Sequence, residues 1–351
     1  MKREKKLQNQ LWKERMPLIA SFFLPFFILT VICILHDVYP FGEQCILHID
    51  MYHQYCPFFT EFLHKLRTGG SLQYSWNLGL GSDFVSLYAY YLASPLNFLI
   101  VLCPKHYVIE FMTILVLAKI ALCGLTFFLF LKYHFHLIGK DGKLHKNQVI
   151  PALVFSTAYA LSGFVAAYSW DIMWMDCILL FPLIMVGLEK LVREQKPGLY
   201  FVTLALSVFA NYYISIMICM FMVIYFFALW ILERGRSGRD FVVSGFKFAG
   251  YSVLAGGLSA AVLLPEIFAL QMTASGDVNF PKTVTSYFSI FDMIARHLPI
   301  VETEIGLDHW PNIYCGVAVF IFFLLYLASR KISLREKAVY CTLLVLFFAS
   351  F

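Results

Sequence analysis

The stretch His48-Ile49-Asp50-Met51-Tyr52-His53-Gln54-Tyr55-Cys56-Pro57-Phe58-Phe59 gathers residue types that move protons and hold polar ligands. A helix beginning at Asp50 would set its carboxylate at the positive end of the helix dipole, which favours the ionised form. That would make Asp50 a base or a metal ligand rather than an acid. His53 and Gln54, three and four residues on, would then share its face. His48-x-Asp50-x-x-His53 offers imidazole and carboxylate groups that suit zinc or manganese, so a divalent metal on His48, Asp50 and His53 is one expectation, although this spacing is not specific. The plainer alternative is an interfacial helix whose His and Tyr side chains sit at headgroup level.

Two further stretches carry candidate chemistry. Residues 69–83 are rich in glycine and enclose Trp76 and Asn77, ending at Asp83. No Gly-Lys-Ser/Thr follows, so this is not a nucleotide P-loop. Its glycines permit tight turns. Trp76 could stack on the apolar face of a sugar ring or sit as an interfacial aromatic. Trp170-Asp171-Ile172-Met173-Trp174-Met175-Asp176 packs two Trp and two Asp into seven residues. Asp176 reads either as the cap of the next helix or as a substrate ligand beside Trp174. Asn211, Tyr212 and Glu266 are polar residues at the ends of later apolar runs.

These residues need a scaffold, and composition identifies it. The chain has 351 residues, of which 60% are hydrophobic, 18% aromatic and 14% charged. Soluble domains carry about 25% charged residues. Mean hydropathy is +0.73, and several runs reach or approach the roughly 20 apolar residues that cross a bilayer. An all-α, polytopic transmembrane helical bundle follows. The net charge of +5 sits in short loops between spans, so it calls for no nucleic-acid partner. Nine cysteines are scattered without a CxxC pair, which implies neither a disulfide framework nor a zinc site. The basic stretch 1–15 leads into 17–35 without a small-residue cleavage site, so 17–35 is expected to remain as an anchor.

Apolar runs occur at about 17–35, 107–131, 149–168, 177–188, 199–210, 213–232, 241–264, 313–328 and from 338 onward. The loops 132–148, 189–197, 233–240 and 330–337 are basic, as is 1–15. The positive-inside rule puts all of them, and the N-terminus, in the cytoplasm. That parity holds only if 84–103, apolar but containing Ser94, Pro95 and Asn97, does not cross and instead re-enters or lies in the interface. The runs 177–188 and 199–210 are short, about 18 Å each as helix, and should lengthen into their flanks or thin the membrane. Residues 1–351 read as one transmembrane domain with a first outer loop, 36–106, that holds juxtamembrane helices. The final run lacks a polar flank, so the chain is expected to be the N-terminal part of something longer. With this topology Asp50, Asp83, Trp174, Asp176, Asn211, Tyr212 and Glu266 converge on the outer side. Ionisable residues at membrane depth are costly and tend to mark function.

The combination resembles the YfhO family of bacterial polytopic membrane proteins. The matching elements are Asp50-x-Tyr52-x-Gln54-Tyr55-x-Pro57-Phe58, Trp76-Asn77-x-Gly79-x-Gly81, and Trp174-x-Asp176 before Phe181-Pro182. Asn211-Tyr212-Tyr213 and Pro311-Asn312-x-Tyr314-x-Gly316 also fit. The resemblance implies a GT-C type glycosyltransferase in the bacterial plasma membrane. Such an enzyme takes a sugar from a polyprenyl-phosphate donor, here for a cell-envelope polymer such as teichoic acid, with inversion. It also implies that Asp50 is the catalytic acidic residue of the first outer loop. Tyr52, His53, Gln54, Tyr55, Trp76, Asn77, Asp83, Trp174, Asp176, Asn211 and Tyr212 are then expected to bind substrates, and Arg296, His297 or Lys282 to meet the leaving phosphate. The competing readings are a transporter or lipid flippase, which would use broken spans and midplane polar sites, and a non-catalytic envelope scaffold.

Overall fold

A computed structural model describes residues 2–138, 145–233, 237–272, 288–305 and 310–348. The fold is an all-α bundle. Helix α1 (Lys2–Leu35) leads to a long loop, and α4 (Val108–His134), α5 (Lys146–Ala160), α6 (Gly163–Tyr168), α7 (Ile172–Glu194), α8 (Gly198–Ala210) and α9 (Tyr212–Leu232) follow. Then come α10 (Gly238–Leu258), α11 (Ala260–Leu270), α12 (Ile290–Ala295), α13 (Val317–Ala328) and α14 (Leu334–Phe348). Among the described residues, six segments are long and apolar enough to cross a membrane. Within the long loop lie a π-helical turn (Met51–Tyr55), α2 (Cys56–Thr68), a two-stranded antiparallel hairpin of β1 (Tyr74–Ser75) and β2 (Ser82–Asp83), and α3 (Phe84–Leu87). A second π-helical turn (Tyr88–Leu92) and a 3-10 helix (Pro95–Leu102) complete it.

The centre of the bundle is the pair α4 and α7, with α1 and α5 against α4, and α8 and α9 against α7. Gly187 makes the α7–α8 contact possible, because a Cβ there would stand 2.5 Å from the Tyr200 backbone. Pro182 lies inside α7. Proline cannot donate to the carbonyl four residues back, and the Tyr159 hydroxyl donates to that Ile178 carbonyl at 2.8 Å instead.

Lys119, fully buried in the middle of α4, holds this pair together. Its ammonium lies 2.5 Å from Asp176 Oδ2 on α7 and donates to the Ile172 carbonyl at 3.0 Å. The other oxygen, Asp176 Oδ1, accepts from the Ser94 hydroxyl at 2.7 Å. Ser94 sits at the break in 84–103, where Phe84–Leu92 and Pro95–Leu102 meet at 102°. Pro95 forces the residue before it out of helical geometry, and Ser94 is extended at ψ 131 while its Oγ caps Leu96 N. Asn97 Nδ2 donates to the Leu92 carbonyl across the bend. The Phe84–Leu92 leg reaches only about 14 Å at helical rise, so neither leg crosses a roughly 30 Å core alone.

Several boundaries differ from those read in the sequence. The run 177–188 is the middle of a 23-residue helix, Ile172–Glu194. Its polar ends hide the extension in a hydropathy reading, yet Asp176, Glu189 and Val192 are buried and the charges paired. The run 199–210 stays short, as α8. The run 241–264 breaks at Ser259, whose hydroxyl donates to the Ala205 carbonyl, dividing α10 from α11. The run 313–328 is helical only from Val317, because the preceding segment docks on α6: Gly163 N donates to Tyr314 O at 2.7 Å, and Asn312 Nδ2 to the Tyr168 hydroxyl. The helix expected to begin at Asp50 starts as a π-turn and becomes α-helical only at Cys56.

Removing one partner of a buried ion pair strands the other charge and costs about 3–5 kcal/mol, whereas replacing both with apolar groups is often neutral. Lys119→Met should therefore lower the thermal unfolding temperature of the detergent-solubilised protein sharply, and Lys119→Met/Asp176→Leu should recover most of the loss. A single variant as stable as wild type would show that the pair does not hold the bundle.

Candidate carboxylate and tyrosine site

At the end of the bundle where α7 begins, three acidic side chains surround a group of tyrosines. Asp50 precedes the first π-turn and caps no backbone N–H. Its Oδ1 accepts from Gln54 Nε2 at 3.3 Å, so Gln54 does share its face. Asp50 thus stands at a helix start, as expected, with a side-chain contact in place of a cap bond. Asp171, at the N-cap position of α7 and only 4% exposed, accepts from the Tyr55 hydroxyl at 3.4 Å. The rings continue the line: Tyr55 meets Tyr91 at 5.5 Å, Tyr91 meets Tyr90 at 4.7 Å, and Tyr90 meets Tyr212 at 5.8 Å. Tyr212 donates to Glu266 Oε1 at 3.1 Å. Tyr91 lies within electrostatic range of Asp50, Asp171 and Glu266 together. Trp174 packs on Tyr168 and Tyr213, with ring centroids 5.6 and 6.2 Å away.

Three buried polar atoms in this cluster have no protein partner among the described residues: Gln54 Oε1, Trp174 Nε1 and Glu266 Oε2. Buried polar groups are ordinarily hydrogen-bonded, and exceptions call for an explanation. They leave one donor and two acceptors to bond a polar ligand.

The other expected ligands have different surroundings. Asp176 is one turn inside α7 and serves neither as its cap nor as an open ligand, since Lys119 and Ser94 occupy both of its oxygens. Asn77 donates to Glu61 Oε2 at 2.9 Å, beside the Ser75 hydroxyl on Glu61 Oε1 at 2.6 Å. Lys65 donates to the Ser71 and Tyr74 carbonyls. Burial pushes the Glu61 carboxyl up, but the bonds from Ser75, Asn77 and Lys65 outweigh it and hold the carboxyl below its usual range. This network anchors the base of the hairpin to α2, while Trp76 at its tip is 78% exposed. Gly81 turns at φ 106, and a Cβ there would meet the Tyr74 hydroxyl. Asp83 caps α3 through Val85 N and Ser86, within electrostatic range of Glu266. Asn211 is buried and caps α9 through Ile214 N. Tyr52 and His53 are exposed and pack ring to ring at 5.2 Å.

His48 is exposed, against Trp170. Among the described residues no three His, Cys, Asp or Glu side chains form a metal-binding group, so His48, Asp50 and His53 do not converge as a ligand set. Arg296 is buried and committed, donating to the Pro311 carbonyl, Asn312 Oδ1 and Glu304 Oε1. His297 Nδ1 lies 2.8 Å from the Met293 carbonyl. Lys282 lies outside the described residues.

Sequence reasoning left Asp171 out of the site. Burial pushes its carboxyl from 3.8 up to about 7, the Asp50 charge adds to the rise, and the Tyr55 hydroxyl opposes it. A carboxyl raised in the folded state binds its proton more tightly there. The resulting stability is complete below about 3.8 and is lost as pH rises through about 7. The unfolding temperature should carry this falling component over that window, and Asp171→Asn should flatten it. An identical pH profile in the variant would rule out the buried carboxyl as its source.

The chain matches the family described as "Bacterial membrane protein YfhO" over residues 21–351. It is 24% identical over 230 residues to "Uncharacterized protein YfhO" of Bacillus subtilis (strain 168), an alignment covering 60% of this chain and 25% of that protein. The chain thus spans about a quarter of the length of that relative. No solved structure matches. A multi-pass helical bundle, with a family match that runs from the first span through the loop motifs to residue 351, makes this chain a member of the YfhO family of bacterial membrane proteins.

Proposed function

We propose that the protein is an inverting, GT-C type glycosyltransferase that moves a sugar from a polyprenyl-phosphate donor to a cell-envelope hydroxyl, such as one on teichoic acid, at the outer face of the plasma membrane. The observation that carries this reading is the set of unpartnered buried atoms on Gln54, Trp174 and Glu266 beside Asp50 and Asp171. Sugars present alternating donors, acceptors and apolar faces, and this cluster offers the complement of each. The basic side chains Lys132, Arg193 and Lys196 near the far ends of α4 and α7 support a cytoplasmic N-terminus by the positive-inside rule.

In this reading Asp50 is the general base. It accepts the proton of the acceptor hydroxyl while that oxygen attacks the anomeric carbon from the face opposite the leaving phosphate. The carbon–phosphate-oxygen bond breaks, and the polyprenyl phosphate leaves with the electron pair. Gln54 positions Asp50 through their shared hydrogen bond. Asp171, with a carboxyl near 7, can donate a hydrogen bond to a sugar oxygen in its neutral form. Trp174 and Tyr212 form the aromatic wall.

Positioned general bases contribute about 10²–10⁴-fold to rate. Membranes from cells making the full-length protein should transfer sugar from a polyprenyl-phosphate donor, and Asp50→Asn at matched protein level should lose at least about a hundredfold of that rate. Undiminished transfer by the variant would remove Asp50 from the chemistry. No transfer by wild type would favour the flippase or scaffold instead.

A further inference from the structure

A second site lies at the opposite end of α7. There α4 and α7 finish side by side and α8 begins, and an open cavity of about 460 Å³ lies between them. Its lining combines the polar side chains Lys132, Tyr133, His136 and Lys190 with the apolar Leu129, Leu183 and Val186. Leu129 stands one helical turn below Lys132, and Val186 one turn below Lys190, so each lysine tops an apolar strip that runs back toward the middle of the bundle.

Both lysines are half-buried. The Lys190 ammonium lies over the Tyr133 ring, 5.2 Å from its centroid. Among the described residues neither makes an ion pair with an acidic side chain. Glu194, the acid one turn beyond Lys190, is already held by the Tyr133 hydroxyl at 2.8 Å and by Lys196 at 2.9 Å. Glu189, adjacent in sequence, is fully buried and bonded to His134, Arg193 and Tyr225. Glu194 also feels the Lys190 charge, but among the described residues no carboxylate pairs directly with either of the two lysines that line this cavity.

We infer that this cavity binds a phospholipid with an anionic headgroup, its phosphate between Lys132 and Lys190 and the first methylenes of an acyl chain along Leu129, Leu183 and Val186. Basic pockets between transmembrane helices recognise lipid headgroups through this combination of charge and depth. Free phosphate would satisfy the lysines but has no use for the apolar wall. The inference is independent of the chemistry proposed for the other end of the bundle.

The test is lipid retention by the full-length protein in nanodiscs, measured by native mass spectrometry after extraction. One membrane holds phosphatidylglycerol in phosphatidylcholine, and a second holds phosphatidylcholine alone. Wild type should retain phosphatidylglycerol selectively. Lys132→Gln/Lys190→Gln should retain about tenfold less or lower, with phosphatidylcholine retention unchanged, and Lys132→Arg/Lys190→Arg should behave like wild type. If the double glutamine variant does not fold, the single variants decide, each expected to lose part of the retention. Equal retention by wild type and the glutamine variants overturns the site. Complete displacement of phosphatidylglycerol by millimolar inorganic phosphate overturns the lipid assignment in favour of a soluble anion.

Discussion

The buried contact among Lys119, Asp176 and Ser94 is the constraint from which much of this structure follows. An ammonium at the centre of an apolar helix is tolerable only when fully paired. Here the pairing reaches three elements at once: α4, α7 and the bend in the first long loop. The loop segment cannot straighten into a span without withdrawing Ser94 from Asp176 and leaving a buried carboxylate oxygen unbonded. The same contact fixes where α7 begins, because the Ile172 carbonyl also meets Lys119. Asp171 is thereby set beside Tyr55, and the tyrosines of the bend are set against Tyr212. A single buried charged pair, one turn inside α7, thus determines the geometry at that end of the bundle.

Much of the architecture was legible in the sequence. Long apolar runs at 17–35, 107–131 and 213–232 correspond to spans, and Ser94-Pro95 within an apolar stretch marked an interruption that became the 102° bend. What could not be read was pairing across distance. Lys119 and Asp176 lie 57 residues apart, and each looks like a functional residue until the other is found opposite it. The extent of α7 was hidden for the same reason, since hydropathy treats Asp176, Glu189 and Arg193 as exposed when their charges are cancelled inside the fold.

Some neighbourhoods within the candidate site were legible: Gln54 meets Asp50 as the helical spacing suggested, and Tyr55 and Tyr212 each meet a carboxylate. Asn77, Asp83 and Asn211 make anchoring and capping bonds, which polar residues near turns often do, and Asn211 also donates to the Tyr90 carbonyl. Asp171 stood in the same Trp- and Asp-rich stretch, but with the helix read from 177 the choice fell on Asp176. Its place ahead of the helix emerges only once α7 is seen to begin at Ile172, and its burial under Tyr55 depends on a residue 116 positions away.

Helix α7 links the two ends of the molecule in a mechanical sense. Its 23 residues extend about 34 Å, from Asp171 to beyond Lys190. A helix with a proline would ordinarily be compliant at that point, but Tyr159 braces the carbonyl that Pro182 leaves free, and Gly187 lets α8 lie flush against the far half. The result is a strut, pinned near one end by Lys119 and splinted along its length. An axial load on such a strut is carried along its whole length, so the α7 wall of the lysine cavity and the Asp171 end belong to one rigid element.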